Sequence, residues 1–134
     1  MADTAAQRRE AAQRMQEMAE ATRRREGEAA QVLIDAFVQA AQDRGIPPVR
    51  LQATQLDGQR VRTDKTGWYV NRQHSIAIGI DGSWYVLTVP SARLGRLTGA
   101  KLQASLPELV VGRGARDGES GDLSDFLARI LSEH

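Results

Sequence analysis

The amino-acid sequence predicts an α+β domain: an antiparallel sheet of about five strands, with a long N-terminal helix and a C-terminal amphipathic helix packed on it. Three observations predict this class. Strong helix formers fill residues 5–44 almost without interruption. Apolar and polar side chains alternate in short runs over residues 49–89, with Asp-Gly turn signals between the runs. Large apolar side chains recur at helical spacing over residues 122–131, which favours a sheet covered by helices.

The predicted N-terminal helix begins at Thr4, because Gln7 lies three residues later and completes a capping box. Gly45, followed closely by two prolines, is predicted to end the helix.

Gly27 is predicted to divide this helix into two parts. Residues 1–27 form a solvated or partner-dependent arm, and residues 28–134 form a single α+β domain. Beyond the initial methionine, the large apolar side chains of the arm are those of Met15 and Met18. Two such side chains are too few for the arm to pack firmly on a core, so we expect it to be dispensable for folding.

The sheet is predicted from three hairpins. In the first, a three-residue loop at residues 56–58 places Val61 beside Ala53 and keeps one face apolar, with Gly58 in a left-handed conformation. The second hairpin turns at residues 71–74. The third is predicted to turn through the two residues of Asp81-Gly82. Its predicted pairs are Gly79 with Trp84, Ala77 with Val86, Ile78 with Tyr85 and Ile76 with Leu87.

These pairings predict two apolar faces of the sheet. The predicted core face holds Ile76, Ile78, Tyr85, Leu87, Val89 and Tyr69. The opposite face holds Trp68, Val70, Ala77, Gly79, Trp84 and Val86, with Trp84 over Gly79. Either the protein's own helices cover this second face, or it binds a partner protein, a nucleic acid or a small ligand. The first interpretation is the simplest.

The remaining segments are predicted more coarsely. A short helix is possible at residues 92–97, and residues 109–111 form a final buried strand. A glycine-rich loop then leads to the C-terminal helix, which Asp122 caps.

No combination of residues predicts catalysis. The chain has no cysteine, which excludes disulfides, thiolate metal sites and cysteine nucleophiles. His74 and His134 are its two histidines. Ser75 follows His74, but neighbouring side chains on an extended chain point to opposite faces, so they cannot act as nucleophile and base. We therefore predict that the protein is not an enzyme.

Three segments resemble cofactor or metal loops only in composition. Residues 112–118 have the spacing GxGxxxG, whereas dinucleotide-binding loops have GxGxxG. Residues 95–101 lack the glycine-to-lysine spacing of phosphate loops. The carboxylates within residues 117–122 lack the order of a calcium-binding loop. We predict no cofactor and no metal.

The predicted function is that of a noncatalytic protein-interaction or adaptor-like protein, with a homodimer as one form. We expect a cytoplasmic location, because the N-terminal residues lack a signal-peptide core and no apolar run approaches the roughly 20 residues of a membrane span. The predicted partner-binding residues are Met15, Met18, Trp68, Arg72 and Trp84.

The alternative function is a nucleic-acid-binding module that uses an aromatic and arginine-rich sheet face. The net charge of +1 gives this alternative little support. Its residues would be Arg50, Arg60, Arg62, Arg72, Trp68 and Trp84.

Overall fold

The computed structural model of the chain describes residues 4–91, 98–113 and 119–134. The described elements are, in chain order, α1 (Ala5–Asp43), β1 (Val49–Gln55), β2 (Arg60–Tyr69), β3 (Ile76–Gly79), β4 (Trp84–Val86), β5 (Thr88–Val89), β6 (Val110–Val111), β7 (Gly121–Asp122) and α2 (Leu123–Ser132). They confirm the α+β class. The short helix predicted at residues 92–97 lies outside the described residues.

The two ends of α1 form as predicted. Thr4 and Gln7 make a reciprocal capping box, in which the hydroxyl of Thr4 accepts from the amide of Gln7 and the Gln7 side chain accepts from the amide of Thr4. At the other end, Gly45 has a φ of 69°. The amide of Ile46 donates to the carbonyl of Ala41, which is the hydrogen bond of a Schellman motif.

Gly27 does not interrupt α1, which runs as one helix of 39 residues. The glycine is buried because Leu106 packs against it, and a Cβ atom at this position would lie 2.5 Å from the Leu106 Cδ1. Glu26 lies beside this contact and accepts a hydrogen bond from the amide of Leu109 at 3.1 Å. This part of α1 therefore meets the rest of the protein through a close contact with the side chain of Leu106.

The main sheet has five strands in the order β4-β3-β2-β1-β5. It is mixed rather than purely antiparallel, because β5 runs parallel to β1. Only Leu87 separates β4 from β5 in the sequence, yet these two strands lie at opposite edges of the sheet. The amide of Thr54 in β1 donates to the carbonyl of Leu87 at 2.7 Å. The sheet therefore closes on itself, and it has an interior and an exterior.

The first hairpin has the predicted geometry. Ala53 pairs with Val61, and the three-residue loop between the strands places Gly58 at a φ of 89°. The side chain of Asp57 accepts a hydrogen bond from the amide of Gln59 at 3.0 Å, which stabilises the turn.

The predicted register of the third hairpin is wrong by one residue. Ile78 pairs with Trp84 and Ala77 pairs with Tyr85, so the loop has three residues rather than two. A slip of one residue exchanges the two faces of a strand, and β3 is consequently reversed relative to the predicted pattern. Tyr85, rather than Trp84, covers Gly79, where a Cβ atom would lie 2.9 Å from the Tyr85 Cε2.

Side-chain size explains this orientation of β3. The closed interior receives the small residues of β3 beside two tyrosine rings, and its buried members are Leu51, Ala53, Val61, Ala77, Tyr85, Leu87 and Leu102. The large residues of β3 lie outside the sheet, beneath the helices. That outer core contains Ile34, Phe37, Trp68, Val70, Ile78, Trp84, Val111, Leu123, Phe126 and Leu127, together with smaller residues of α1.

The C-terminal part forms a small unit against α1. The predicted strand at residues 109–111 is β6, but it pairs with β7 instead of joining the main sheet. Asp122 occupies the N-cap position of α2, yet its side chain makes no capping hydrogen bond, contrary to the prediction. The first amide of α2, that of Leu123, instead donates to the carbonyl of Leu109 at 2.8 Å. In the part of the chain that the structure describes, no helix has the length and apolar character to cross a membrane.

Candidate functional site

The two tryptophans predicted to bind a partner lie in the outer core. Trp68 is 5% exposed and Trp84 is 2% exposed. The ring of Phe37 meets Trp68 edge-on at 5.7 Å, and the indole N–H of Trp68 donates to the carbonyl of Ile46 at 3.1 Å. The protein's own α1 thus covers this face, as in the simplest interpretation of the sequence. In this fold neither indole is accessible to a partner or to a nucleic-acid base.

Arg72 lies apart from both tryptophan side chains, in the turn between β2 and β3. Its backbone amide donates to the carboxylate of Glu119 at 2.8 Å, and its guanidinium lies 3.9 Å from the carboxylate of Glu133. The Arg129 guanidinium, 2.6 Å from Glu119, and the Arg72 amide hold the pKa of Glu119 below its usual range. Arg72 therefore helps to connect the turn to α2.

Met15 and Met18 are exposed to 72% and 69% respectively. They lie on the N-terminal half of α1, where every residue is exposed or half-exposed up to Glu26. The buried residues of α1 all lie between Gly27 and Ala41. The structure therefore keeps the two methionines together, one helical turn apart, and separates them from the other predicted site residues.

An open groove of about 720 Å³ lies on the β1–β2 hairpin. Its charged lining brings together three arginines that the sequence analysis had connected only with the nucleic-acid alternative. We name this surface the basic groove. Its principal lining residues are Arg50, Gln52, Arg60, Arg62, Asp64 and residues 98–101.

Strand alternation positions two of these arginines. Arg60 and Arg62 are exposed, whereas Val61 between them is buried in the sheet interior. Arg62 pairs with Gln52, and Arg60 pairs with Thr54. The two guanidinium groups therefore extend from the same side of β2, away from the interior.

Backbone hydrogen bonds hold residues 98–101 against β2 as the second wall of the groove. The amide of Ala100 donates to the carbonyl of Arg62 at 2.8 Å, and the amide of Asp64 donates to the carbonyl of Ala100 at 3.1 Å. Gly99 has a φ of 76°, and a Cβ atom there would lie 3.0 Å from the Arg62 carbonyl oxygen. Both walls are therefore held in place without a ligand.

Asp64 is the acidic residue of the groove, and it has a structural partner. Its carboxylate accepts a hydrogen bond from the amide of Leu102 at 2.9 Å, which lowers the pKa of Asp64, and the nearby ammonium of Lys65 lowers it further. The carboxylate therefore stays ionised while it holds the chain just beyond Lys101 against β2.

A second interaction connects the groove with the turn between β2 and β3. The hydroxyl of Tyr69 accepts a hydrogen bond from the amide of Gln52 at 2.9 Å. The ring of Tyr69 stacks on that of His74, with centroids 3.8 Å apart and planes at 5°. Burial lowers the pKa of His74, and the charge of Arg60 lowers it further.

The lowered pKa of His74 predicts a pH-dependent stability. The unfolded chain takes up a proton as the pH falls through about 6.5, whereas folded His74 stays neutral until a lower pH. We expect the contribution of His74 to the free energy of unfolding to decrease as the pH falls from about 7, and to level off below the folded pKa of His74. Asp64 and Glu119, whose pKa values are also lowered, remove further stability at more acidic pH.

Urea denaturation at several pH values measures this effect. His74 has a φ of 58°, which asparagine tolerates, so His74→Asn should remove the decrease. His134→Asn, at the exposed C-terminal residue, is the matched control and should retain it. An unchanged pH dependence in His74→Asn would show that another group is responsible.

Residues 4–91, 98–113 and 119–134 contain no cluster of three or more histidine or acidic side chains that could hold a metal ion. The loops singled out at residues 95–101, 112–118 and 117–122 lie partly outside the described residues.

Comparison of the chain with protein-family models, with curated proteins and with solved structures gave no match.

Residues 95–101 had been set aside because their spacing does not match a phosphate loop, so the sequence pattern did not connect Lys101 with the arginines of β2. Residues 98–101 reach β2 through a single parallel bridge, Thr63 with Ala100, at a sequence separation that no local pattern encodes. Gly99, two residues before Lys101 in the sequence, was the available signal, since it marks a close backbone approach.

Proposed function

We propose that this is a noncatalytic protein-interaction protein of the cytoplasm, and that it binds a partner helix along the exposed side of α1. The observation that carries the proposal is the exposure of Met15 and Met18 on the half of α1 that lies outside the core. A helix that continues an apolar side beyond the part that packs on its own core presents a surface that a partner can cover.

The exposed methionines belong to a longer surface. Residues spaced three and four apart share one side of a helix, and the set that contains both methionines is apolar or small except for Thr22 and Arg25. We name it the docking face of α1, and none of its members is buried. It comprises Ala11, Met15, Met18, Thr22, Arg25, Ala29, Leu33, Ala36 and Ala40.

At its C-terminal end the docking face meets α2. There the two helices form a shallow apolar groove of about 340 Å³, to which α2 contributes Leu127, Ala128 and Leu131. Leu33 of α1 lines the same groove and is exposed. A groove between helices that continues into an exposed helix face suits an amphipathic partner helix with apolar side chains at similar spacing.

The noncatalytic part of the proposal is supported by the environment of the candidate base. His74 stacks on Tyr69, and its neighbour Ser75 accepts a hydrogen bond from the side-chain amide of Asn71 at 2.7 Å. These contacts use both side chains for the turn between β2 and β3, and they do not form a nucleophile–base pair.

Removing the arm tests its role in folding. A chain that begins at Arg23 keeps the contacts of Glu26 and Gly27 but loses both methionines. Because no buried side chain of α1 precedes Gly27, we expect the shortened chain to fold and to melt within about 5 °C of the full chain. Aggregation or loss of cooperative melting would show that the arm covers the core.

Binding is tested separately with the full chain. Met15→Glu with Met18→Glu places two charges on the docking face, and Ala12→Glu with Ala19→Glu places the same charges on other exposed positions of the arm. We expect the first pair to abolish binding of the partner, whether a second copy or another protein, and the second pair to retain it. The solution mass reports self-association, and affinity capture reports other partners. Equal binding by both variants would contradict the proposal.

A further inference from the structure

We propose that the basic groove binds the phosphodiester backbone of a nucleic acid, without reading its bases. This inference concerns a surface separate from the docking face of α1 and does not depend on the proposed partner helix.

Charge is concentrated at this groove. Four of the chain's 18 basic residues line it, against one of its 17 acidic residues. The formal charge of the groove is therefore +3, whereas the rest of the chain carries −2. A cleft lined by one sign of charge attracts counter-charged ligands far more strongly than a small net charge suggests.

Most of these cations are not neutralised within the described part of the chain. The ion pairs found among the described residues do not include Arg60, Arg62 or Lys101. Arg50 donates to the backbone carbonyl of Thr63 at 3.3 Å, which orients its guanidinium without cancelling its charge. The acidic residue, Asp64, is occupied with the amide of Leu102 and the ammonium of Lys65. The groove thus presents an excess of positive charge to solvent.

The chemistry of the lining favours phosphate. A guanidinium group presents paired N–H donors that match the oxygens of a phosphate. Arg60 and Arg62 lie two residues apart on one side of β2, so about 6.6 Å of strand separates them. They form a row that an extended, multiply charged backbone can follow, whereas a single small anion would engage only part of it.

No aromatic ring is among the described residues that line the groove, which explains why bases would not be read. Single-stranded nucleic acids are usually bound through aromatic side chains on which bases stack. Trp68 and Trp84 are buried beneath α1, and Tyr69 stacks on His74. The wall formed by residues 98–101 contains glycine and alanine and offers no aromatic ring on which a base could stack. The contacts that the groove offers are therefore contacts with phosphate groups, and such contacts carry no sequence information.

Fluorescence anisotropy with labelled oligonucleotides of about 20 nucleotides tests the proposal, with single-stranded DNA, single-stranded RNA and duplex DNA as separate arms. For single strands, the logarithm of the binding constant should fall with the logarithm of salt concentration at a slope of roughly −2 to −3, as three or four phosphate contacts require. Similar affinity for different base sequences is expected. Absence of binding to all three at about 50 mM salt would overturn the proposal.

Charge reversal locates the site. We expect Arg60→Glu with Arg62→Glu to weaken binding at least about tenfold at low salt, and Lys101→Ala to reduce the salt slope by roughly 0.7. Arg14→Glu with Arg24→Glu changes the net charge equally on the exposed arm and is expected to alter affinity less than about twofold. All four arginines are exposed, so each variant should melt like the parent. An equal loss of oligonucleotide affinity in both double variants would contradict the assignment. So would a protein that binds inorganic pyrophosphate but binds no oligonucleotide.

Discussion

Replacing Gly67 with alanine is expected to destabilise the protein more than any other exchange to alanine at a glycine of the main sheet. Gly67 pairs with Gly79 where β2 meets β3. A Cβ atom at Gly67 would overlap the carbonyl oxygen of Ile78 and lie 2.8 Å from the Cα of Gly79. Both neighbours are backbone atoms, so relief requires the two strands to separate. We expect a loss of more than about 3 kcal/mol in the free energy of unfolding.

Gly58→Ala is the matched control for this prediction. Gly58 lies in the loop before β2 at a φ of 89°, and nothing lies within 4 Å of its added Cβ atom. The expected loss is about 1–2 kcal/mol, from the left-handed backbone. Urea denaturation monitored by circular dichroism measures both variants. If Gly67→Ala lowers the free energy of unfolding by no more than Gly58→Ala does, β2 and β3 do not approach each other as closely at Gly67 as the structure shows.

Trp84→Ala is expected to lower the free energy of unfolding by about 3–5 kcal/mol, as for other buried aromatic side chains. Trp84 is 2% exposed and pairs with Ile78 at the centre of the outer core. Its backbone carbonyl also accepts from the amide of Ser105 at 2.8 Å, a bond that the substitution leaves in place. The expected loss therefore reports the side chain, and it separates a packed indole from an open binding surface.

Val86→Ala provides the comparison within the same strand. Val86 is two residues beyond Trp84 and is 48% exposed. We expect it to cost less than about 1 kcal/mol, since only part of its surface leaves water on folding. A Trp84→Ala variant as stable as Val86→Ala would mean that α1 does not cover the indole, and it would restore the tryptophans as candidate partner-binding residues.

The two proposed binding surfaces lie on different elements. The docking face belongs to α1 and its contact with α2, whereas the basic groove belongs to β1, β2 and residues 98–101. Substitutions in one surface should therefore leave the other unaffected, because sites without shared partners usually behave additively. Arm and groove variants can be assayed side by side, and each serves as a control for the other.

Several features could be predicted from the sequence because adjacent residues encode them. The capping box of Thr4 and Gln7 and the Schellman motif at Gly45 depend on a few neighbouring side chains and on one left-handed glycine. The helical spacing of α2 and the three-residue loop ending at Gly58 are equally local. Each involves a single turn or one periodic segment, so no distant contact can easily reverse it.

The register of β3 was ambiguous because both faces of the strand are apolar. A two-residue and a three-residue loop each bury large side chains, so the hydrophobic pattern cannot choose between them. A local signal existed: Ile80-Asp81-Gly82 repeats the pattern of the first loop, and Asp81 accepts from the amide of Ser83 as Asp57 does from that of Gln59. What excludes the alternative is the narrow interior, which has space for alanine and glycine beside the tyrosines.

The candidate sites depended on contacts between distant parts of the chain. The pairing of β5 with β1 closes the sheet, and α1 then covers Trp68 and Trp84, so residues predicted to bind a partner became core. The bridge from Thr63 to Ala100 brings Lys101 to the arginines of β2 and creates a groove. Composition and periodicity determined which residues are apolar or charged. Which of them share a surface was decided only by strand order and long-range packing, because those contacts join segments whose separation no sequence period records.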